Sequence, residues 1–190
     1  NEENDLGTGA KGNENRGITE TGKAAIKKMN ELGMIVDVSH ANEKTFWDIY
    51  EVSDKPIIAS HSNARKLCDH VRNLTDEQIK AIAESGGLVG AVAYKGFVDL
   101  EKNQTIERYV DHIDYMVSLA GIKHVGLGFD FCEYLYAGRT GKDMNPKDLE
   151  DASYAQNVIE ELRKREYSEE DIRKIAYENF MRVIEINFEK

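Results

Sequence analysis

The chain has 190 residues, which suits a single domain, and its 41% hydrophobic and 32% charged residues describe a globular rather than a disordered protein. Its net charge of -10 argues against non-specific binding to nucleic acid or to an anionic membrane surface. Two cysteines are too few for a disulfide scaffold or a four-cysteine zinc site, and no apolar run approaches the roughly 20 residues of a membrane span.

The first 16 residues are polar, rich in glycine and asparagine, and lack apolar periodicity. This composition predicts a loop. Because the first residue is Asn1 and not methionine, we expect the chain to begin inside a longer protein.

Helical patterns and short apolar runs then alternate four times along the chain. The predicted helix–strand pairs are 17–32 with 34–39, 44–52 with 55–60, a helix ending near residue 85 with 87–93, and 105–120 with 124–129. We expect Thr19 to be a helix N-cap and Thr75 with Gln78 to form a capping box. A polar loop and helices at about 150–165 and 169–187 complete the chain. This alternation predicts an α/β chain with a parallel sheet, either doubly wound or a barrel.

Polar side chains stand at the carboxyl ends of three predicted strands. His40 follows the first strand, His61 the second and Asp130 the fourth. In parallel α/β folds the active site lies at the carboxyl ends of the strands. Imidazole and carboxylate are the usual zinc ligands where thiolates are absent. The placement alone leaves two interpretations open, a metal site or histidines that merely belong to loops.

Arg72 lies in the connection that follows the second strand, on the same rim of the sheet. Its guanidinium could hold a substrate carboxylate in a bidentate pair, or it could be an ordinary surface arginine. His112 lies within a predicted helix, which indicates a structural role. His124 begins a strand, at the end opposite the presumed active site.

Three stretches carry a family resemblance, in this order and spacing: GITETGKAAIKKMNELGMIVDVSH, PIIASHSNARKLCDHVRNLTDEQI and HVGLGFDF. They resemble the membrane (renal) dipeptidase family of zinc metallopeptidases. The resemblance runs from about Gly17 to the end, where ELRKREYSEEDIRKIAYENFMRVI is similar to the family's closing segment. The strings SHSNAR and HVRNLTDEQI are its most specific parts.

The resemblance implies a (β/α)8 TIM barrel that binds two zinc ions at the C-terminal rim of its strands and hydrolyses dipeptides with a metal-activated water. By resemblance, His40 and His61 are the two histidines that bind one zinc. Arg72 is similar to the arginine that holds the free carboxylate of the substrate. Asp130 is similar to the catalytic aspartate beside the metal-bridging water.

The sequence departs from the family pattern in several places. At the last strand the family usually has Asp-Phe-Asp-Gly, where this chain has Asp130-Phe131-Cys132-Glu133, so the second aspartate and the glycine are lost. In addition, Phe97 stands where some members place a tyrosine. These differences put the substrate preference in doubt. The family's His-x-Asp pair, its bridging glutamate and a substrate-contacting histidine, all from the first four strands, have no counterpart here.

The missing ligands lead to expectations about the whole protein. We expect residues 1–16 to be a loop that continues from a missing N-terminal half, and residues 17–190 to be the second half of one barrel, strands five to eight. This chain alone would then bind zinc weakly, show no dipeptidase activity, and need its other half or a second copy to cover its open edges. We expect a cytoplasmic homodimer. The alternatives are a different metal-dependent TIM-barrel amidohydrolase and a non-catalytic binding module.

Overall fold

A computed structural model describes residues 1–188 and contains one parallel sheet. Its strands are β1 (Val36–Asp37), β2 (Ile57–Ala59), β3 (Leu88–Val92) and β4 (Val125–Phe129), and they pair in chain order. The predicted α/β architecture with a parallel sheet is therefore confirmed. A doubly wound sheet reverses its strand order at a switch point, whereas the order β1-β2-β3-β4 does not reverse. The sheet agrees with part of a barrel.

Helices follow the strands over most of the described chain. The helices α1 to α9 are Glu20–Leu32, Glu43–Val52, Asp76–Glu84, Lys95–Val98, Ile106–Ala120, Gly141–Met144, Gln156–Lys164, Glu169–Arg173 and Asn179–Phe188. The predicted caps are present, because Thr19 accepts from the backbone of α1 and Thr75 with Gln78 forms a capping box at α3. A π-helical stretch at Lys174–Glu178 joins α8 to α9, so this long helix also agrees with the prediction.

Two predicted boundaries were wrong. The first strand, predicted over 34–39, pairs only at Val36–Asp37, because Ser39 turns back and its backbone N–H donates to the Asp37 side chain. The helix predicted from about residue 150 begins at Gln156. The preceding residues form a 3-10 turn, since Asp151 caps the backbone N–H of Ser153.

The hydrophobic core lies between the sheet and its helices. All five residues of β3 are buried, and fully buried side chains of α3 and α5 pack in the same core, among them Ile82 and Ile113. Each fully buried side chain of this size contributes about 1.5–3 kcal/mol of hydrophobic free energy. Tyr109 of α5 also donates its hydroxyl to the carbonyl of Ala91 at 3.0 Å. These contacts hold the strands that carry the rim.

His112 is buried in α5 and does not reach the rim. Its Nδ1 accepts from the backbone of Ala64 at 3.2 Å, and its Nε2 donates to the carbonyl of Val98 at 2.9 Å. Both ring nitrogens are therefore used inside the fold. Among residues 1–188, no helix is both long and apolar enough to cross a membrane.

Candidate active site

The carboxyl ends of β1 and β2 bring two predicted residues into contact. His40 and His61 face each other with their Nε2 atoms 2.8 Å apart and their ring centroids 4.9 Å apart. The parallel pairing of β1 with β2 produces this contact, because residues that follow neighbouring parallel strands leave the sheet at the same edge.

Both imidazoles favour the neutral form. Desolvation, the positive charge of Arg72 and the second ring lower the pKa of His40 to about 4. Desolvation also lowers the pKa of His61, while the negative charges of Asp130 and Asp37 oppose that effect. Neutral imidazole has a free lone pair on one ring nitrogen, which is the form that binds a metal.

Asp130 lies at the end of β4 on an unusual backbone. Val92 pairs with Phe129 while Ala91 pairs with Leu127, so Gly128 is an extra residue in the ladder, a β-bulge. Phe129 and Asp130 then adopt positive φ angles of 43° and 64°. Such conformations cost about 1–3 kcal/mol each in residues other than glycine and concentrate at functional sites.

Gly90 in the middle of β3 and Gly128 near the end of β4 let the strands approach closely beside this rim. A Cβ atom at Gly90 or Gly128 would overlap the carbonyl oxygen of Ser60, which follows β2. Only glycine therefore fits at these two positions without a shift of the backbone. The close approach brings the end of β4, and with it Asp130, toward the end of β2.

Arg72 is a buried cation on the same rim. Its side chain is only 4% exposed, its Nη1 has no hydrogen-bond partner among the described residues, and its guanidinium lies 5.4 Å from the ring centre of Phe97. Burial lowers the pKa of Arg72 to about 10, while the charges of Asp130 and Asp37 oppose this effect. The guanidinium thus stays charged at neutral pH. A buried charge without a full set of hydrogen bonds is expensive, which indicates a missing anionic partner.

One cleft joins these groups. It has a volume of about 300 Å³, and its lining includes His40, Arg72 and Asp130 together with Tyr94 and Phe97. This volume lies at the lower end of the range for small-molecule sites. The structure therefore brings all four predicted residues to one place, since His61 contacts His40 at its edge.

Asp37 and Ser60 also belong to this site, although no role is predicted for either residue from the sequence. The Asp37 carboxylate accepts hydrogen bonds from Ser39 and Ser60, and Ser60 Oγ lies 2.7 Å from Nδ1 of His61. Burial alone would raise the pKa of Asp37, but these hydrogen bonds outweigh it and lower the pKa. The only sequence signal was a polar residue at each strand end, which does not reveal contact between β1 and β2.

The histidine pair fits part of a metal site. Each ring holds Nδ1 against an oxygen, Ser60 Oγ for His61 and Asn1 Oδ1 for His40, and turns Nε2 toward the shared space. Histidine metal ligands have this arrangement. Two imidazole nitrogens on one tetrahedral zinc stand roughly 3.3 Å apart, so the rings would need to open only slightly. Within residues 1–188, however, no three His, Cys, Asp or Glu side chains form a cluster that could hold a metal.

Comparison with known proteins identifies the family. The family model for membrane dipeptidase (peptidase family M19) matches residues 2–189. The chain belongs to the membrane dipeptidase family. The resemblance stated from the sequence motifs is thus confirmed.

Relatives of this membrane dipeptidase family chain are longer than the chain itself. It is 37% identical over 172 residues to an uncharacterised protein in the pqqA 5' region of Klebsiella pneumoniae, covering 88% of this chain and 60% of that protein. A metallopeptidase from Rhodobacter sphaeroides, liganded with a phosphinate mimic of the dipeptide L-Ala-D-Ala, matches with a TM-score of 0.84 and 30% identity, over 96% of this chain and 52% of that one. An amidohydrolase from Pseudomonas aeruginosa matches with a TM-score of 0.88 and 30% identity, over 99% and 62%. The chain therefore spans about half to three-fifths of these relatives.

Proposed function

We propose that this protein is a zinc-dependent dipeptidase with its active site in the cleft at the carboxyl ends of the strands. The proposal depends on one observation above all: a membrane dipeptidase family chain gathers two neutral histidines, a carboxylate and a buried, incompletely bonded arginine at one cleft. A carboxylate is the group of a dipeptide that a buried guanidinium binds best, through two parallel hydrogen bonds.

Each residue then has a separate task. His40 and His61 would hold one metal ion through their Nε2 atoms. Arg72 binds the C-terminal carboxylate of the substrate, and the Phe97 ring, which packs against the guanidinium, keeps it in place. Asp130 accepts a proton from the attacking water, as a general base. Zinc, when bound, activates that water and polarises the scissile carbonyl, and we propose two ions in a complete site.

The chain of 190 residues supplies only part of this site. A catalytic zinc usually has three protein ligands, whereas the described residues offer the two histidines. In addition, among residues 1–188, β1 and β4 each pair with one neighbouring strand of the sheet. We propose that an N-terminal half of the same protein, or a second copy in a homodimer, completes the ligand set and covers these edges of the sheet. Alone, the chain should bind zinc weakly and be inactive. The cytoplasmic location stays a prediction.

A second candidate function is hydrolysis of a cyclic amide. The amidohydrolase from Pseudomonas aeruginosa matches with the TM-score of 0.88, which favours this alternative over unrelated chemistry. A cyclic amide has no free C-terminal carboxylate, so in that reaction the buried guanidinium of Arg72 would have no substrate anion to bind. A non-catalytic binding module is the third possibility, and it requires no zinc.

The test uses the protein at its full natural length with zinc added. Gly-Leu and a set of cyclic amides are offered as substrates, and product release is followed by chromatography. Hydrolysis of the dipeptide alone supports the proposal. Hydrolysis of the cyclic amides alone supports the second candidate, and a protein that binds no zinc and hydrolyses neither is a binding module.

A further inference from the structure

The carboxylate of Asp37 has no task in the mechanism above, yet it is the centre of a hydrogen-bond network next to the histidine pair. Its Oδ1 accepts from the backbone N–H of Ser39 at 3.0 Å, from Ser39 Oγ at 2.7 Å and from the backbone N–H of Ser60 at 3.1 Å. Its Oδ2 accepts from Ser60 Oγ. A carboxylate has no proton of its own to donate, so all four bonds run toward it.

The single hydroxyl proton of Ser60 decides the state of the neighbouring ring. Ser60 Oγ lies between Oδ2 of Asp37 and Nδ1 of His61, which is 2.7 Å away. The charged acceptor forms the stronger bond, so the hydroxyl proton points to Asp37. Oγ then presents only lone pairs to the ring, and Nδ1 of His61 must carry the ring proton. Nε2 of His61 is left with the lone pair, and in the metal-free protein it accepts from Nε2 of His40, 2.8 Å away, which therefore carries the proton of the His40 ring.

We propose that Asp37 is a positioning residue, which acts through Ser60 to fix the His61 tautomer with its lone pair on Nε2, the atom that faces His40. The consequence for metal binding rests on the proposed function, but the tautomer is a property of the protein without metal. Asp37 also orients the hydroxyl of Ser39, which accepts from the backbone N–H of His61 at 3.1 Å. One carboxylate therefore holds both the backbone and the ring of His61.

Substitution of Asp37 by asparagine separates this role from simple packing. The two backbone N–H groups that face Oδ1 are fixed donors, so the amide oxygen of asparagine must take the Oδ1 place. Its NH2 group then faces Ser60 Oγ and donates to it. The nearer acceptor for the Ser60 proton is then Nδ1 of His61 at 2.7 Å, since Ser39 Oγ lies 3.3 Å away, so Nδ1 becomes an acceptor and the ring proton moves to Nε2. The shape of the site hardly changes, but the lone pair needed for a metal is lost.

Nitrogen NMR of the metal-free protein at its full natural length, with 15N-labelled histidine, tests the tautomer directly. The His61 signals are those that disappear in His61→Gln. In the wild type we expect a protonated Nδ1 and an unprotonated Nε2, and in Asp37→Asn the reverse. Ser39→Ala is the matched control, because it removes a bond to Asp37 without touching the ring and should keep the wild-type tautomer. A protonated Nε2 in the wild type, or an unchanged tautomer in Asp37→Asn, would overturn the proposal.

Zinc titration of the stripped protein against a chromophoric chelator gives the second readout. Loss of such a supporting partner weakens metal affinity roughly 10–100-fold, so we expect this loss in Asp37→Asn and Ser60→Ala. Ser60→Thr keeps the hydroxyl and should restore near wild-type affinity. Ser60→Ala also serves if Asp37→Asn fails to fold, and wild-type affinity in Ser60→Ala would contradict the proposal. If the wild type shows the expected tautomer but binds no zinc, the zinc dipeptidase fails while the role of Asp37 stands.

Discussion

Replacement of Arg72 by alanine should weaken dipeptide binding with little effect on the chemical step. Arg72 is 4% exposed and its Nη1 has no hydrogen-bond partner among residues 1–188, so under the proposed function the guanidinium is positioned for an anion before substrate binds. Hydrogen bonds to charged groups contribute about 1.5–3 kcal/mol. Loss of this contact should therefore raise KM roughly 10–150-fold, because 1.4 kcal/mol corresponds to a factor of ten. The value of kcat should stay close to that of the wild type if the contact is equal in ground and transition states.

The assay compares Gly-Leu with its C-terminal amide, which lacks the carboxylate. The wild type should favour the free acid by the same factor of roughly 10–150 in kcat/KM, and Arg72→Ala should treat the two substrates nearly alike. Lys66→Ala is the matched control, because it removes an exposed positive charge from the same connection. Arg72→Lys keeps the charge but loses the planar fork, so its KM should lie between those of wild type and alanine variant.

Two results would refute the carboxylate role. An unchanged KM for Gly-Leu in Arg72→Ala is one of them. The other is a variant that still prefers the free acid over the amide as strongly as the wild type does. A general loss of structure is recognised separately by circular dichroism and by the zinc content of the variant.

Three further predictions concern other parts of the fold. Asp130→Asn should lower kcat about 10²–10⁴-fold while zinc is retained, and rates within a few-fold of wild type would exclude a general base at this position. Gly128→Ala should destabilise the protein by about 1–3 kcal/mol in urea unfolding, because its Cβ overlaps the carbonyl of Ser60; equal stability would contradict the close approach of the strands. Burial is the main cause that lowers the pKa of His112 to about 4. The stability gained by burying neutral His112 is therefore fully present above the unfolded pKa of about 6.5 and is lost as the pH falls toward 4. Between pH 7 and pH 5 the free energy of unfolding should fall about 2 kcal/mol more in the wild type than in His112→Gln. An equal fall in both proteins would show that His112 does not titrate in this way.

Local rules account for much of the fold. Thr19, the Thr75–Gln78 box and Ser168 each begin a helix where the sequence predicts one, because a cap depends on residues within one turn. The four apolar runs become the four strands, since they alternate with amphipathic helices that need a sheet to cover. Residue type at a strand end was also enough to select His40, His61 and Asp130 as site candidates.

Other features depend on contacts between strands and could not be predicted. The link from Asp37 to His61 requires the register that pairs Asp37 with Ile58 and so places Ser60 next to the carboxylate. The bulge at Gly128 and the positive φ of Asp130 come from the pairing of β3 with β4. The presence of an aspartate in the sequence does not predict a positive φ.

The zinc content of the protein decides whether His40 and His61 bind a metal ion. The protein at its full natural length is loaded with zinc, passed through a desalting column and measured by inductively coupled plasma mass spectrometry. We predict about two zinc ions per chain in the wild type and about one fewer when both His40 and His61 are replaced by alanine. A wild type without zinc, or a double variant that keeps the full wild-type content, would contradict the assignment of these two histidines as ligands of a dipeptidase metal centre.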